Sequence, residues 1–380
     1  MRILLVSMSS IHVLRWVENL NKTQHEIYWF DILNRGELQT KAKLTQICNW
    51  KKRKVRYIKG EYFLSKRVPY IYNFIQPLLE TTVQEKLESI INEIVPDVIH
   101  SFEMQKCSYP LLNVLTKYPK IKWIYTCWGS DLYFYKNFKL HRKKIKKVLA
   151  RIDYLITDCN RDYLLAKSLK FKGEFLGVFP GGGGYNLKKA NKLKRPMIER
   201  NIILVKGYET KFGRSINVLK ALVELKETLS NYQIVVFGAH KSVVNFIETN
   251  NLKYGIYKRH ELSHTEVMEL MGKSKIYIGN SIADGMPNTL LEAIVMNAFP
   301  IQSNPGNVSK EIIDYGINGL IIENPENISE IKAKINEALV YNNEDFEKFA
   351  NVNTKITEKK LSDVVVNQRI INAYSKIFNL

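Results

Sequence analysis

The stretch that organises this sequence is Ser281-Ile-Ala-Asp-Gly-Met-Pro-Asn-Thr-Leu-Leu-Glu-Ala-Ile-Val-Met-Asn-Ala-Phe-Pro300. It follows a short apolar run, residues 276–279, that is typical of a buried parallel strand. Gly285 permits a tight turn, and Pro287 suits the first position of a helix, where a missing N–H costs nothing. Apolar periodicity then predicts a helix from Asn288 to Asn297. A strand, a glycine turn and a helix N-terminus together predict an anion-binding site.

The polar groups of this stretch suggest what the anion belongs to. The backbone N–H groups of Asn288, Thr289 and Leu290 are expected to point at a ligand beyond the strand end. Two carboxylates flank them, Asp284 in the loop and Glu292 in the helix. A nucleotide-sugar carries both kinds of matching group, phosphates that the N–H groups would bind and hydroxyls that the carboxylates would bind. The simpler alternative is an ordinary strand–helix unit in which Glu292 is solvated.

The stretch resembles the signature of retaining glycosyltransferases of family four, the glycosyl transferases group 1, in which an acidic residue and Gly precede Leu-Glu-Ala in a helix. Asp284 stands where the family has the first of two glutamates, and the spacing to Glu292 is kept. Residues 299–306 and 311–322 resemble the strand, glycine loop and glutamate that follow. The resemblance implies an α/β fold of GT-B type, with two facing Rossmann-like domains, parallel sheets and a central cleft. It also implies that Glu292 holds the donor ribose, while Asp284 and Gly285 orient the sugar.

A second glycine-containing stretch, Lys206-Gly-Tyr-Glu-Thr-Lys-Phe-Gly-Arg-Ser215, begins the other half of the implied donor site. In the family, an arginine and a lysine in this region reach the donor diphosphate. The resemblance therefore assigns Lys206 and Arg214 as catalytic cations beside Gly207, with Lys211 as a further candidate. Arginine grips phosphate with two donors, and lysine acts as a point charge. The alternative is that these cations only cover the surface.

Four residues of the N-terminal half are implied for the acceptor side, because the corresponding loops of GT-B enzymes face the cleft. His12 follows the first strand, His100 and Glu103 follow the strand predicted at 96–101, and Asp131 lies in Trp128-Gly-Ser-Asp. Each has a structural alternative. His12 would then be a half-exposed helix histidine, and Asp131 would be a helix N-cap.

A length of 380 residues predicts two domains. The expected division is an N-terminal Rossmann-like acceptor domain at 1–186 and a polar, basic linker at 187–200. A donor domain at 201–360 follows, with a C-terminal helix at 361–380 that packs back on the first domain. The resemblance places His260 beside the nucleotide base.

Several classes of protein are disfavoured by composition. No run of about 18 apolar residues occurs, and residues 1–7 are interpreted as a strand and not as a leader. The four cysteines lack zinc spacing and suggest no disulfide framework, which fits a reducing cytoplasm. The turn after the first strand has no glycine, so a nicotinamide cofactor is not expected. No Asp-x-Asp pair or histidine cluster is present, so no metal and no other cofactor is expected.

The formal net charge of +20 favours anionic partners. Residues 41–67 hold ten Lys or Arg against one acid and include Trp50, Tyr57, Tyr62 and Phe63; residues 136–151 hold eight Lys or Arg and no acid. Both segments suit an anionic membrane surface, which would place the protein peripherally on the inner face of the cell membrane. A solvated loop, or for the second segment a helix packed on a sheet, is the alternative. Nucleic acid is not expected, because no recognition motif is visible.

The predicted function is retaining transfer of a sugar from a nucleoside-diphosphate-sugar, with UDP as the expected nucleotide. The acceptor would be a hydroxyl of a glycan or a lipid-linked molecule in surface polysaccharide or glycoconjugate synthesis. One alternative is a nucleotide-sugar epimerase of the same fold, which would use His100 and Glu103. Another is a non-catalytic basic protein that binds nucleic acid or membranes.

Overall fold

Two parallel β-sheets organise the chain, each within its own structural unit. The computed structural model describes residues 1–21 and 23–378, except for the side chain of residue 378. The first unit comprises Met1–Thr157, Tyr163–Gly177 and the chain end from Ala373. The second unit comprises Asp158–Asp162 and Val178–Asn372. The chain therefore passes between the units four times.

The first sheet has seven strands in the order β3-β2-β1-β4-β5-β6-β7. Its strands are β1 Arg2–Ser7, β2 Glu26–Asp31, β3 Thr45–Ile47, β4 Val98–Phe102, β5 Lys122–Thr126, β6 Tyr154–Thr157 and β7 Glu174–Val178. The helices of this part of the chain are α1 Ile11–Leu20, α2 Glu61–Arg67, α3 Pro69–Leu79, α4 Val83–Ile94, α5 Tyr109–Lys117, α6 Ser130–Tyr133, α7 Lys139–Arg151 and α8 Asn160–Ser168. Every residue of β1 from Ile3 to Val6 is fully buried, as expected for a strand covered on both faces.

The second sheet has six strands in the order β10-β9-β8-β11-β12-β13. Its strands are β8 Ile202–Lys206, β9 Gln233–Ala239, β10 Gly255–Lys258, β11 Ser274–Gly279, β12 Phe299–Ser303 and β13 Leu320–Ile322. The remaining helices are α9 Leu187–Leu193, α10 Ser215–Glu224, α11 Lys241–Thr249, α12 His264–Lys273, α13 Asn288–Val295, α14 Ile328–Leu339, α15 Asn343–Ile356 and α16 Asp363–Phe378. The central pairing is parallel and aligns Val205 of β8 with Ile278 of β11.

The segment predicted as a linker, 187–200, instead contains helix α9. Asn186 caps it by accepting the Lys189 N–H at 2.9 Å, and Ala190 is buried. The helix packs against α12 so closely that a Cβ on Gly272 would lie 2.3 Å from the Leu193 carbonyl oxygen. The many lysines of this segment obscure the apolar period of Leu187, Ala190 and Leu193, through which the helix packs on a hydrophobic core.

The stretch of residues 69–94 forms two helices, α3 and α4, and not one continuous helix. Glu80 is extended, and Thr82 then starts α4 with a capping box to Glu85.

The last helix, α16, contributes residues to both units, with the change at Ala373. In the first unit, the Tyr374 hydroxyl accepts the Trp16 indole N–H at 3.0 Å. None of the described helices is both long and apolar enough to cross a bilayer.

Candidate active site

The second sheet has its topological switch point at β8. The chain runs outward from this strand through β9 on one side and β11 on the other. Open parallel sheets bind ligands beyond the carboxyl ends of the strands at such a point. Lys206 ends β8, and residues 280–287 connect the end of β11 to α13. The stretch that the sequence singles out therefore lies at the expected edge of this sheet.

The structure brings Lys206 and Asp284 together. The Lys206 Nζ lies 4.0 Å from Asp284 Oδ2, and 4.7 Å from the centre of the Tyr208 ring. The Lys206 side chain is 16% exposed, and the Asp284 side chain is 34% exposed. The other oxygen, Asp284 Oδ1, accepts the Gly285 N–H at 3.0 Å. A long, partly exposed ion pair of this kind can exchange its carboxylate for an incoming phosphate.

Hydrogen bonds join two loops to each other at this site. The Arg214 N–H donates to the Asn280 carbonyl at 3.0 Å, and the Asn280 side-chain amide donates back to the Arg214 carbonyl at 3.1 Å. The Ile282 N–H donates to the Phe212 carbonyl at 2.9 Å. The glycine-containing loop after β8 is therefore fixed to the loop that carries Asp284.

The Arg214 guanidinium is engaged by protein groups in this structure. Its Nε lies 3.0 Å from Glu326 Oε1, and an amino group donates to the Gly213 carbonyl at 2.8 Å. Glu326 is 62% exposed, so this ion pair is a weak one. In the predicted contact with a diphosphate, a phosphate oxygen would compete with Glu326 for the guanidinium.

Glu292 is nearly buried, with 8% of its surface exposed. Its Oε1 lies 2.9 Å from Nε2 of His264, the first residue of α12. The sequence did not identify His264 as a site residue. The capping box formed by Ser263 and Glu266 is the sequence signal that marks His264 as the first residue of a helix. The pair gives the carboxylate a fixed orientation.

The N-terminus of α13 offers fewer donors than predicted. Pro287 is the N-cap and not the first helical residue, and the Leu290 N–H donates to the Pro287 carbonyl at 3.0 Å. Since Leu290 is also fully buried, the prediction that it contacts the donor is wrong. The Thr289 hydroxyl oxygen accepts the Tyr277 O–H at 2.8 Å, which orients this side chain. Asn288 and Thr289 remain the candidate backbone donors.

Gly207 has a structural reason for its identity. Its N–H donates to the Phe237 carbonyl at 2.8 Å, and its carbonyl accepts the His240 N–H at 3.0 Å. A Cβ at this position would lie 2.7 Å from the Ala239 Cα. Both backbone groups are thus used within the protein, so the predicted donor contact by Gly207 is not supported.

A charged segment that the sequence analysis did not select, Asp158–Asp162, holds the Asp284 loop from the other side. The Arg161 guanidinium donates to the Asp284 carbonyl at 2.8 Å and to the Pro305 carbonyl at 2.6 Å. It also forms two parallel hydrogen bonds to the fully buried Asp162, at 2.9 and 3.0 Å. The backbone N–H of Arg161 donates to Glu311 Oε1 at 2.8 Å. The sequence signal for this segment is its run of polar residues directly after the apolar residues of β6.

Gly285 lies against this segment, because a Cβ on it would be 2.0 Å from Asp158 Oδ2. Desolvation, and then the negative charge of Asp162, raise the pKa of Asp158 well above its usual range. Asp158, Cys159 and Asp162 also offer ligand atoms within 4.8 Å of one another. Arg161 already places a positive charge on this group through Asp162. The expectation that no metal is used stays a prediction.

In the first unit, the structure contradicts an acceptor role for His100. The residue is fully buried, with Nδ1 2.6 Å from the Tyr374 hydroxyl and Nε2 2.6 Å from the Thr126 hydroxyl. Burial lowers the pKa of His100 well below its usual range. The side chain is therefore a satisfied neutral core histidine. The epimerase alternative loses one of its two named groups.

Asp131 is also a structural residue. It is 2% exposed and accepts hydrogen bonds from the Met104 N–H at 2.9 Å, the Tyr125 O–H at 2.7 Å and the Trp128 N–H at 3.0 Å. These bonds tie together the loops that follow β4 and β5, so a direct acceptor contact by this carboxylate is contradicted. The N-cap alternative is wrong as well, because Gly129 occupies that position in α6.

Glu103 and His12 retain partial exposure. Glu103 has a φ of +70°, which is unusual for a residue with a side chain, and its carboxylate accepts the Lys106 N–H at 2.6 Å. Partial burial, and then the negative Asp131, raise the pKa of Glu103 to about 7. The His12 ring lies 5.3 Å from the Trp128 ring.

In the second unit, His260 is exposed in the turn after β10, with a φ of +67°.

Comparisons with known families and structures agree with this architecture. The family model described as "Glycosyl transferases group 1" matches residues 189–355, and the one described as "Glycosyl transferase 4-like" matches residues 2–159. A search of curated proteins found no match.

Solved structures match over the whole chain at low sequence identity. Sucrose-phosphate synthase from Thermosynechococcus elongatus has a TM-score of 0.72 at 14% identity, covering 100% of this chain and 99% of its own. Anabaena HepE in complex with UDP-glucose has a TM-score of 0.69 at 12% identity, covering 99% and 100%. A glycosyltransferase from Rickettsia africae has a TM-score of 0.66 at 17% identity, covering 99% and 98%. The predicted α/β fold of GT-B type is confirmed, and the chain belongs to the GT-B glycosyltransferases of the GT4-like type.

Proposed function

We propose that this glycosyltransferase moves a sugar from a nucleoside-diphosphate-sugar to a hydroxyl group, with retention of configuration at the anomeric carbon. The observation that carries the proposal is the arrangement of Lys206, Asp284 and Glu292 around the switch point of the second sheet. A cation for the diphosphate and carboxylates for sugar hydroxyls are the groups that such a donor needs. UDP is the proposed nucleotide, and the likeness to the UDP-glucose complex of HepE supports it.

Lys206 and Arg214 are proposed to stabilise negative charge that grows on the departing diphosphate. Lys206 would exchange its 4.0 Å contact with Asp284 for a phosphate oxygen, while Arg214 would leave the exposed Glu326. These two cations supply the charge, so the proposal includes no metal and no cofactor. The departing phosphate oxygen takes the acceptor proton, and no protein base is assigned.

The remaining donor contacts follow from the same elements. The Glu292 carboxylate, oriented by His264, accepts hydrogen bonds from the ribose hydroxyls. The Asp284 carboxylate, which accepts the Gly285 N–H, orients the sugar. The backbone N–H groups of Asn288 and Thr289 approach the phosphates. His260 is proposed to lie beside the base.

On the acceptor side, Glu103 and His12 are the proposed contacts. The acceptor is proposed to be a glycan or lipid-linked molecule of surface polysaccharide or glycoconjugate synthesis, reached at the cytoplasmic face of a membrane. The excess of basic residues supports this location.

A thermal-shift screen with UDP-, GDP- and ADP-sugars tests the donor class. A ligand that binds only the folded state stabilises it by about 2.7 kcal/mol at roughly one hundred times its dissociation constant. The expected result is a rise in Tm with UDP-sugars that is lost in Glu292→Ala and kept in Glu248→Ala, an exposed glutamate on α11. No rise with any nucleotide-sugar would refute the proposed donor. The anomeric configuration of the product, read by NMR, tests retention.

A further inference from the structure

Helix α3 turns its apolar side toward solvent. Its sequence, Pro-Tyr-Ile-Tyr-Asn-Phe-Ile-Gln-Pro-Leu-Leu, contains no charged residue, and Leu79 at its end is its buried residue. Tyr70, Phe74 and Leu78 are spaced by four residues and therefore lie on one face. They are 88%, 84% and 72% exposed, and Ile71 beside them is 49% exposed. A surface helix of a globular protein normally directs such a stripe at the core.

Helix α2, which contacts α3, extends the same kind of surface. Tyr62 and Phe63 are 77% and 61% exposed. We call these two side chains and the four of α3 the α2–α3 surface. Exposed apolar groups that adjoin one another mark a binding surface for a protein or a membrane.

A belt of cations borders the α2–α3 surface on the N-terminal side. The exposed members of this belt are Lys52, Arg56, Lys59, Lys66 and Arg67. Lys54 is exposed as well, but it forms an ion pair with Glu85. The one acid of the segment, Glu61, is buried and forms an ion pair with Arg53. Its negative charge is therefore compensated inside the protein, and the belt presents positive charge to solvent.

Among the other basic and aromatic features found in the sequence, Tyr57 is also exposed, at 82%, whereas Trp50 and the middle of helix α7 are not. Trp50 is 6% exposed and donates its indole N–H to the Asp31 carbonyl at 2.7 Å, so it belongs to the core. In the basic helix α7, Ile145, Val148 and Leu149 are fully buried. The apolar side of α7 is therefore packed inside the first unit, which agrees with the alternative of a helix packed on a sheet.

We propose that the α2–α3 surface docks on an anionic lipid bilayer, with α3 lying in the plane of the interface. The side chains of Tyr70, Phe74 and Leu78 would enter the boundary between headgroups and acyl chains, and the cation belt would face acidic headgroups. Charge complementarity carries the choice of partner. A second copy would carry the same belt and the same formal net charge of +20, so the association of two such surfaces is opposed by like charges. The proposal does not depend on the identity of the donor.

Flotation of the full-length protein with lipid vesicles tests the proposal. The protein is expected to float with vesicles of phosphatidylcholine mixed with phosphatidylglycerol, and to bind vesicles of phosphatidylcholine alone more weakly. Phe74→Ser should lower the partition coefficient roughly tenfold, because it removes a side chain of phenylalanine size from the apolar phase. Ile198→Ser is the matched control, since Ile198 is 73% exposed in the second unit and should leave binding unchanged. Both changes are at exposed positions, so an unaltered melting temperature confirms that each variant is folded.

Three results would overturn the proposal. The first is a wild-type protein that stays in solution with both kinds of vesicle. The second is equal binding by Phe74→Ser and the control. The third is a dimer that Phe74→Ser dissociates, with no binding to vesicles, which would assign the surface to a second copy.

Discussion

Replacing Arg161 by methionine should lower the free energy of unfolding of the second unit by about 3–5 kcal/mol. The guanidinium is held between the Asp284 and Pro305 carbonyls and the Asp162 carboxylate, and 11% of its side chain is exposed. Methionine keeps the apolar stem and removes the charge. Asp162, which has no exposed surface, would then remain in the interior without its cation. The cost of that buried charge dominates the expected loss.

Urea unfolding followed by circular dichroism measures the effect as a lower midpoint at an unchanged slope. Arg142→Met on α7 is the control, because Arg142 is exposed and surface changes usually stay within about 0.5 kcal/mol. Adding Asp162→Asn to Arg161→Met should recover part of the loss, since it removes the uncompensated charge. A loss no larger than that of the control, or no recovery in the double variant, would refute the reasoning.

Three further predictions concern steric fit and pH. Gly285→Ala should destabilise the protein by about 1–3 kcal/mol and weaken donor binding in calorimetry, because its Cβ would lie 2.0 Å from Asp158 Oδ2; unchanged donor affinity would contradict this. Burial lowers the pKa of His100, so the imidazole binds a proton more readily in the unfolded chain than in the folded protein. The free energy of unfolding should therefore fall as the pH drops below about 6.5. Urea midpoints measured at several pH values should show a shallower fall for His100→Asn. Burial raises the pKa of Glu103 to about 7, so its unfavourable charge appears as pH rises through that value. Glu103→Gln should therefore stabilise the protein more at pH values above 7 than below 5, and an equal effect in both ranges would count against the burial of this carboxylate.

The sequence predicted the sheets well because buried parallel strands are continuous apolar runs. The strand predicted at residues 1–7 contains β1, Arg2–Ser7, and the run at 276–279 lies within β11. The structure also has Asp284 and Gly285 in a loop and Glu292 in the helix that follows, as predicted, since a loop followed by a helix is a local pattern.

Side-chain orientation and long-range pairing could not be predicted in this way. His100 follows the same rule of strand-end polarity as Lys206, yet its side chain is enclosed by aromatic groups of the first unit. Arg161 and Asp284 are 123 residues apart, and no local pattern encodes their contact. Helix α9 was not predicted because its three apolar positions, Leu187, Ala190 and Leu193, are separated by lysine and asparagine residues.

The passage of Asp158–Asp162 through the second unit also bears on how such an enzyme can be divided or recombined. Exchange of donor halves between related proteins is naturally attempted at a single junction near residue 187. That junction would leave Arg161 with the recipient and the carbonyl of Asp284 with the incoming half. A foreign residue at position 161 would then contact the loop that carries Asp284. Chimeras should therefore transfer Asp158–Asp162 together with the donor half, as two exchanged segments instead of one.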